Sequence, residues 1–153
     1  MDIRYIPHLP DTIPYRIAWL NNTEVNRYLG TSNTTLDEQR DWFVQYQRDS
    51  TRDFFTITDS DKPIGIVGLT NIDQEKGEVK IFIMIGDPEY RGRGIGKLAM
   101  QFIVKHAKDE LGISNLSLEV HRDNAAAIRC YQAVGFLIEG EVDEEGEIIM
   151  KLS

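Results

Sequence analysis

The chain has 153 residues, 41% of them hydrophobic and 27% charged, the make-up of an ordinary folded domain with length for one sizeable core rather than two. Its formal net charge of −8 argues against a surface that wraps a nucleic-acid backbone and suits a cationic substrate. No apolar run approaches the ~20 residues of a membrane span, the start shows no basic-then-apolar leader, and a lone Cys130 rules out an intrachain disulfide, so the expectation is a single domain over residues 1–153 in the cytoplasm.

In chain order, Asp2 to Leu9 is expected as an edge strand ended by Pro7 and Pro10. From Pro14 the pattern Tyr15, Ile17, Ala18, Trp19, Leu20 predicts a short helix with proline in its first turn, stopped by Asn21-Asn22. Glu24 to Leu29 reads as a second short turn. Thr35-Leu36-Asp37-Glu38 has capping-box spacing, and the helix it opens carries Trp42, Phe43 and Tyr46 on one side. Phe54 to Thr58 and Ile64 to Thr70 read as a hairpin around Asp59-Ser60-Asp61-Lys62. Val79 to Ile85 is a third strand, and its near-continuous apolar run predicts burial on both faces.

Beyond a glycine-rich loop, Ile95, Leu98, Ala99, Phe102, Ile103 and His106 recur at helical spacing up to Gly112. Leu116 to Val120 reads as a strand and Ala125 to Val134 as a helix ended by Gly135. Two last strands, Phe136 to Val142 and Glu147 to Leu152, flank the acidic turn Asp143-Glu144-Glu145-Gly146. This order predicts a mixed α/β sheet rather than a doubly wound one.

The loop Glu89-Tyr90-Arg91-Gly92-Arg93-Gly94-Ile95-Gly96-Lys97 joins a strand end to a helix start. Unpaired N–H groups and the positive end of the helix dipole favour an anion there, and glycines let phosphate oxygens approach the main chain. The bland alternative is a solvated basic helix start. A nucleotide P-loop needs Gly four residues before Gly-Lys and a hydroxyl after it, whereas Arg91 and Leu98 hold those places. The dinucleotide fingerprint needs Gly-x-Gly-x-x-Gly, and Gly92, Gly94 and Gly96 are spaced by two. The catalytic-loop signature of a protein kinase is missing.

Arg91-Gly92-Arg93-Gly94-Ile95-Gly96 resembles the acetyl-CoA signature of the GNAT N-acetyltransferase superfamily, and Asn124 to Phe136 resembles that family's second signature. The resemblance covers essentially the whole chain. It implies the family's mixed, mostly antiparallel sheet of about six to seven strands flanked by about four helices. It also implies acetyl-CoA as co-substrate, without a metal. Trp19 to Leu29, Trp42-Phe43 and Ile83 to Tyr90 are similar to the branch holding ribosomal-protein, polyamine and amino-sugar acetyltransferases.

From that resemblance, Met84 and Ile85 are expected at the pantetheine arm, a backbone N–H there facing the thioester oxygen. Loop N–H groups of Gly92, Gly94, Ile95 and Gly96 would hold the pyrophosphate, with charge from Arg91, Arg93 and Lys97. Tyr131 matches the tyrosine that protonates the leaving thiolate; the other reading is a packed helix aromatic. Asn124 either caps its helix or contacts the pantetheine amides, and both can hold. Glu119, matching a proposed base, faces away from Leu118 and Val120 on an alternating strand; a solvated strand glutamate is the alternative. The branch often has a glutamate where this chain has Lys80, which leaves Glu78 as a fallback. Glu24 and Glu38 read as substrate-side or surface charges. His8, His106 and His121 show no metal-ligand spacing, and Cys130 reads as packed rather than nucleophilic.

The expected function is transfer of acetyl to a primary amine of a small molecule, such as an amino sugar, polyamine or antibiotic. A protein N-terminal acetyltransferase and a non-catalytic acyl-CoA sensor are the alternatives, with an unrelated nucleotide-binding protein more remote. The expected partner is the small-molecule amine, with no nucleic acid and no membrane; a homodimer is left open.

Overall fold

The computed structural model describes residues 1–29 and 33–152. Seven strands form one sheet: β1 (Ile3–Pro7), β2 (Asp53–Asp59), β3 (Lys62–Asp73), β4 (Glu78–Ile85), β5 (Asn115–His121), β6 (Leu137–Glu139) and β7 (Glu147–Leu152). Their order is β1-β2-β3-β4-β5-β7-β6. Every pairing is antiparallel except β4 with β5. Five α-helices accompany it: α1 (Ile13–Leu20), α2 (Thr23–Asn26), α3 (Leu36–Arg48), α4 (Ile95–Leu111) and α5 (Ala125–Val134). The mixed, mostly antiparallel sheet expected from the sequence is therefore present.

Local chemistry accounts for several boundaries. The β2–β3 hairpin closes with Asp59 opposite Lys62, and the two residues between them, Ser60 (φ 47°) and Asp61 (φ 71°), are both left-handed. That is the two-residue turn whose twist matches paired strands. Thr35 caps α3 by accepting from the Glu38 N–H at 3.3 Å. Its own hydroxyl donates to the Glu38 carboxylate at 3.3 Å, so Glu38 answers the cap through the side chain. Gly112 (φ 67°) ends α4 in the left-handed conformation.

The sheet has core on both sides, as strand alternation on β4 makes plain. Val79 and Ile81 pack into a cluster with Ala99, Met100 and Ile103 of α4 and with Leu116, Leu118, Phe136 and Met150. Met84, with Phe82 beside it, belongs to a second cluster with Trp19, Val25, Phe54 and Ile66 under α1 and α2. Between α1 and α3, Arg16 is buried without an acidic partner among the described residues. Its Nε donates to Gln39 Oε1 at 2.6 Å and its Nη1 to His8 Nε2 at 2.8 Å, while its guanidinium lies 4.0 Å from the Trp42 ring centroid. His8 Nδ1 then carries the proton and donates to Thr56 Oγ1 at 2.8 Å.

Two sequence expectations need correction. β4 is not buried throughout: Phe82, Ile83 and Ile85 are only half-buried, because β5 leaves its side before those residues are reached. The strand expected over Phe136 to Val142 is confined to Leu137–Glu139. Phe136 is a fully buried core residue, and Gly140 at φ 75° turns the chain out of the ladder.

Candidate active site

The sheet parts at one place. β4 and β5 pair only through Glu78↔Asn115, Val79↔Leu116 and Lys80↔Ser117. Past Lys80, β4 keeps its ladder with β3 as far as Gly65↔Ile85, and β5 keeps its ladder with β7 as far as His121↔Glu147. A cavity of about 880 Å³ fills the angle between them. One end is floored by the loop before α4, and the opposite rim carries residues of α2, β5 and β7.

At the loop end, the first backbone bond of α4 runs from Leu98 N–H to the Gly94 carbonyl at 3.3 Å. The N–H groups of Ile95, Gly96 and Lys97 belong to the helix start, where no intrahelical acceptor exists. Gly92 and Gly94 have φ of 70° and 80°, and a Cβ on either would meet nothing within 4 Å, so the loop surface is open. Arg91, Arg93 and Lys97 are exposed. Arg91 Nη2 reaches the Ile85 carbonyl at 3.5 Å, and the Arg93 guanidinium lies 4.9 Å from the Tyr90 ring centroid. Tyr90 itself donates to Asp59 Oδ2 at 2.7 Å, which braces the loop against the β2–β3 turn. The Ile95 side chain is buried in the core, so toward the cavity this residue offers its backbone.

Among the other expected residues, Met84, Ile85, Asn124, Tyr131 and Glu119 all line the cavity. Met84 points into the second core cluster and is 4% exposed, so it too presents main chain. Asn124 caps α5, its Oδ1 accepting from Ala127 N–H at 3.3 Å. Burial, reinforced by neighbouring Cys130, holds the Tyr131 phenol above its ordinary value and keeps it protonated. Glu119 accepts from Lys80 Nζ at 2.9 Å. Glu78 does not line the main cavity; it lies in an adjoining groove of about 360 Å³ with Asp73, Asn115 and Lys151, which Lys80 and Glu119 also line. Cys130 lines the cavity half-buried, and burial raises its thiol.

On the far rim, sequence reading named Glu24 as a substrate-side or surface charge but gave Glu145 and Glu147 no role. Glu147 stands directly opposite His121 in the β5–β7 ladder. Burial raises its carboxyl, against the lowering pull of His121, and Glu119, Asp143 and Glu145 add to the rise. The His121 ring stacks on Tyr28 with centroids 5.3 Å apart, and its Nδ1 accepts from Asp123 N–H at 3.1 Å. Alternation shows which face Glu147 occupies, but only the strand order brings that face to the cavity. Glu24, Glu145 and Glu147 therefore join Glu119 among the cavity's lining residues. The site can hold an anion at one end and a cation at the other, with an ionisable phenol and a carboxylate on its walls.

A family model described as the Acetyltransferase (GNAT) domain matches residues 3–137. Acetyltransferase PseH of Campylobacter jejuni subsp. jejuni serotype O:23/36 (strain 81-176) is 26% identical over 135 residues, 88% of this chain and 83% of its own. Alpha/beta-tubulin-N-acetyltransferase 9 of Drosophila melanogaster is 23% identical over 161 residues, 95% of this chain and 80% of its own. Among solved structures, the spermidine N-acetyltransferase from Vibrio cholerae in complex with CoA and spermine superposes with a TM-score of 0.89 at 20% identity, covering 99% of this chain and 94% of that one.

Proposed function

The chain belongs to the GNAT acetyltransferase family, and from that premise we propose that this N-acetyltransferase passes acetyl from acetyl-CoA to a primary amine of a small cationic molecule. One observation carries the acceptor class: four carboxylates, Glu24, Glu119, Glu145 and Glu147, line the cavity on elements other than the phosphate loop, Glu119 paired with Lys80, on a chain of net charge −8. Such carboxylates draw in ammonium groups.

The donor end fits acetyl-CoA. The N–H groups at the start of α4 with Arg91, Arg93 and Lys97 take the pyrophosphate. The inner edge of β4 at Met84 and Ile85 takes the pantetheine amides and presents an N–H to the acyl oxygen. Asn124, besides capping α5, offers its amide to the same arm. Acetyl-CoA supplies the activated acyl carbon and a thiol that departs. Glu119 takes the proton of the acceptor's ammonium, freeing the nitrogen for attack. Tyr131 keeps its proton until the sulfur leaves and then donates it. The half-buried apolar side chains Phe82, Ile83 and Ile85 limit water at the acyl group.

Thiol release measured with polyamines, amino sugars, aminoglycosides and N-terminal peptides tests this. Release with small amines supports the proposal. Release with peptides alone moves the acceptor to a protein, the second reading, which the relative named as a tubulin acetyltransferase favours. CoA binding without release on either panel overturns catalysis in favour of a sensor.

A further inference from the structure

Resting on that function, we propose that Lys80 is itself an acceptor: the protein acetylates the Nζ of its own Lys80. The chain has seven lysines, and two conditions separate them. Acetyl transfer needs the amine within the cavity where the acyl group is presented, and a carboxylate beside it to take the proton. Lys80 meets both, lining the cavity with its Nζ 2.9 Å from Glu119 Oε1. Lys97 lines the cavity and pairs with no carboxylate among the described residues. Lys62, Lys105 and Lys151 have carboxylate partners, Asp87 at 3.0 Å, Asp109 at 3.9 Å and Glu139 at 3.0 Å, but none of the three lines it. Lys76 and Lys108 are exposed and lie outside it.

Position strengthens the case. Lys80 is the last β4 residue paired with β5, so it stands at the apex of the angle between the two strands. Its side chain is 44% exposed and rotatable along its length, so Nζ is not fixed in one position beside Glu119.

The step balances without another reagent. The Nζ–H proton held toward Glu119 passes to that carboxylate, and the freed nitrogen forms a bond to the acyl carbon. The carbon–sulfur bond breaks, the thiolate takes the Tyr131 proton, and the second proton lost by the acylated nitrogen passes to the Tyr131 phenolate. Lys80 becomes a neutral amide, CoA leaves as the free thiol, and Glu119 gives its proton to solvent. The amide cannot hold the ion pair, so Glu119 is released to an incoming ammonium.

The test is peptide mass spectrometry of the full chain incubated with acetyl-CoA and no added amine, each lysine followed over time. Lys80 should gain one acetyl group at least about tenfold faster than Lys97 and Lys105, within the range that general-base assistance supplies. Glu119→Gln and Tyr131→Phe should each remove most of that advantage, and unfolding in urea should abolish it. Equal rates at Lys80, Lys97 and Lys105 overturn the proposal, as does a Lys80 rate unaltered by Glu119→Gln. Thiol release on added amines with Lys80 unmodified overturns it while the acetyltransferase reading stands. An unmodified Lys80 with no release on any amine overturns both.

Discussion

Gly86 offers a measurable link between packing and acceptor binding. It is buried directly after β4, and its N–H donates to the Ile64 carbonyl at 2.9 Å. A Cβ there would lie 2.2 Å from Cδ2 and 2.3 Å from Cγ of Trp19. Its φ is not in the left-handed region, so alanine meets no backbone strain and the whole effect of Gly86→Ala is steric. To reach ordinary contact the indole must retreat by more than an ångström, yet Trp19 is 5% exposed and packed against Val25, Phe54, Ile66 and Met84. Overpacking of this kind costs about 1–3 kcal/mol. α1 carries Trp19 and runs through Asn21-Asn22 into α2, which with Tyr28 beyond it forms one wall of the cavity mouth. A misfit of ~1.4 kcal/mol on that wall is tenfold in affinity. The expected result is a urea midpoint lowered at constant slope, with acceptor KM raised up to about tenfold and CoA affinity changed far less. Stability within about 0.5 kcal/mol of the parent together with an unaltered KM would refute the wedge of Trp19 on Gly86.

Tyr131→Phe should lower kcat by about 10²–10⁴ while the calorimetric affinity for CoA holds; unchanged kcat removes the phenol from the proton-donor role. Gly94→Val puts a β-branched residue at φ 80°, costing ~1–2 kcal/mol in stability; the loop shift it forces should weaken CoA binding, which titration calorimetry reads. Burial, and then Arg16, lower His8 to about 3. A folded pKa below the unfolded one gives stability that is complete above about 6.5 and is lost as pH falls toward 3, by up to ~1.4 kcal/mol per unit. Urea stability measured at pH 7 and 5 should therefore fall more for the parent than for His8→Gln, and parallel losses would contradict the neutral buried imidazole.

Much of this was legible because it is local. Asp59 to Lys62 announce a hairpin turn, Thr35 its cap, and Ile95 to His106 their helical face, since each signal is completed within a few residues. The apolar run of β4 misled for a non-local reason: its burial depends on where β5 turns away, a property of the pairing and not of Ile81 to Ile85. The chain order likewise does not reveal that β7 inserts between β5 and β6. That insertion brings Glu147 to His121 and the acidic rim to the mouth. The Lys80–Glu119 pair was out of reach in the same way: Glu119 reads as a candidate base or a solvated strand glutamate and Lys80 as a departure from the branch, until the Lys80↔Ser117 register leaves Glu119 diagonal to Lys80 on the same face.

The angle between β4 and β5 gives this sheet two edges in its interior, where a continuous sheet would have a ladder. Amides along Ile81–Ile85 and Leu118–His121 that face the angle lie beyond the last β4–β5 pair, and under the proposed function the pantetheine arm would serve there as a short surrogate strand. Ligand occupancy would then complete the sheet as well as fill a cavity. Deuterium uptake should slow on CoA binding along the cavity-facing amides of β4 and β5, while β1 and β2, whose ladder is complete, exchange as before. The donor would thus enter the architecture as an eighth strand, present only while it is bound.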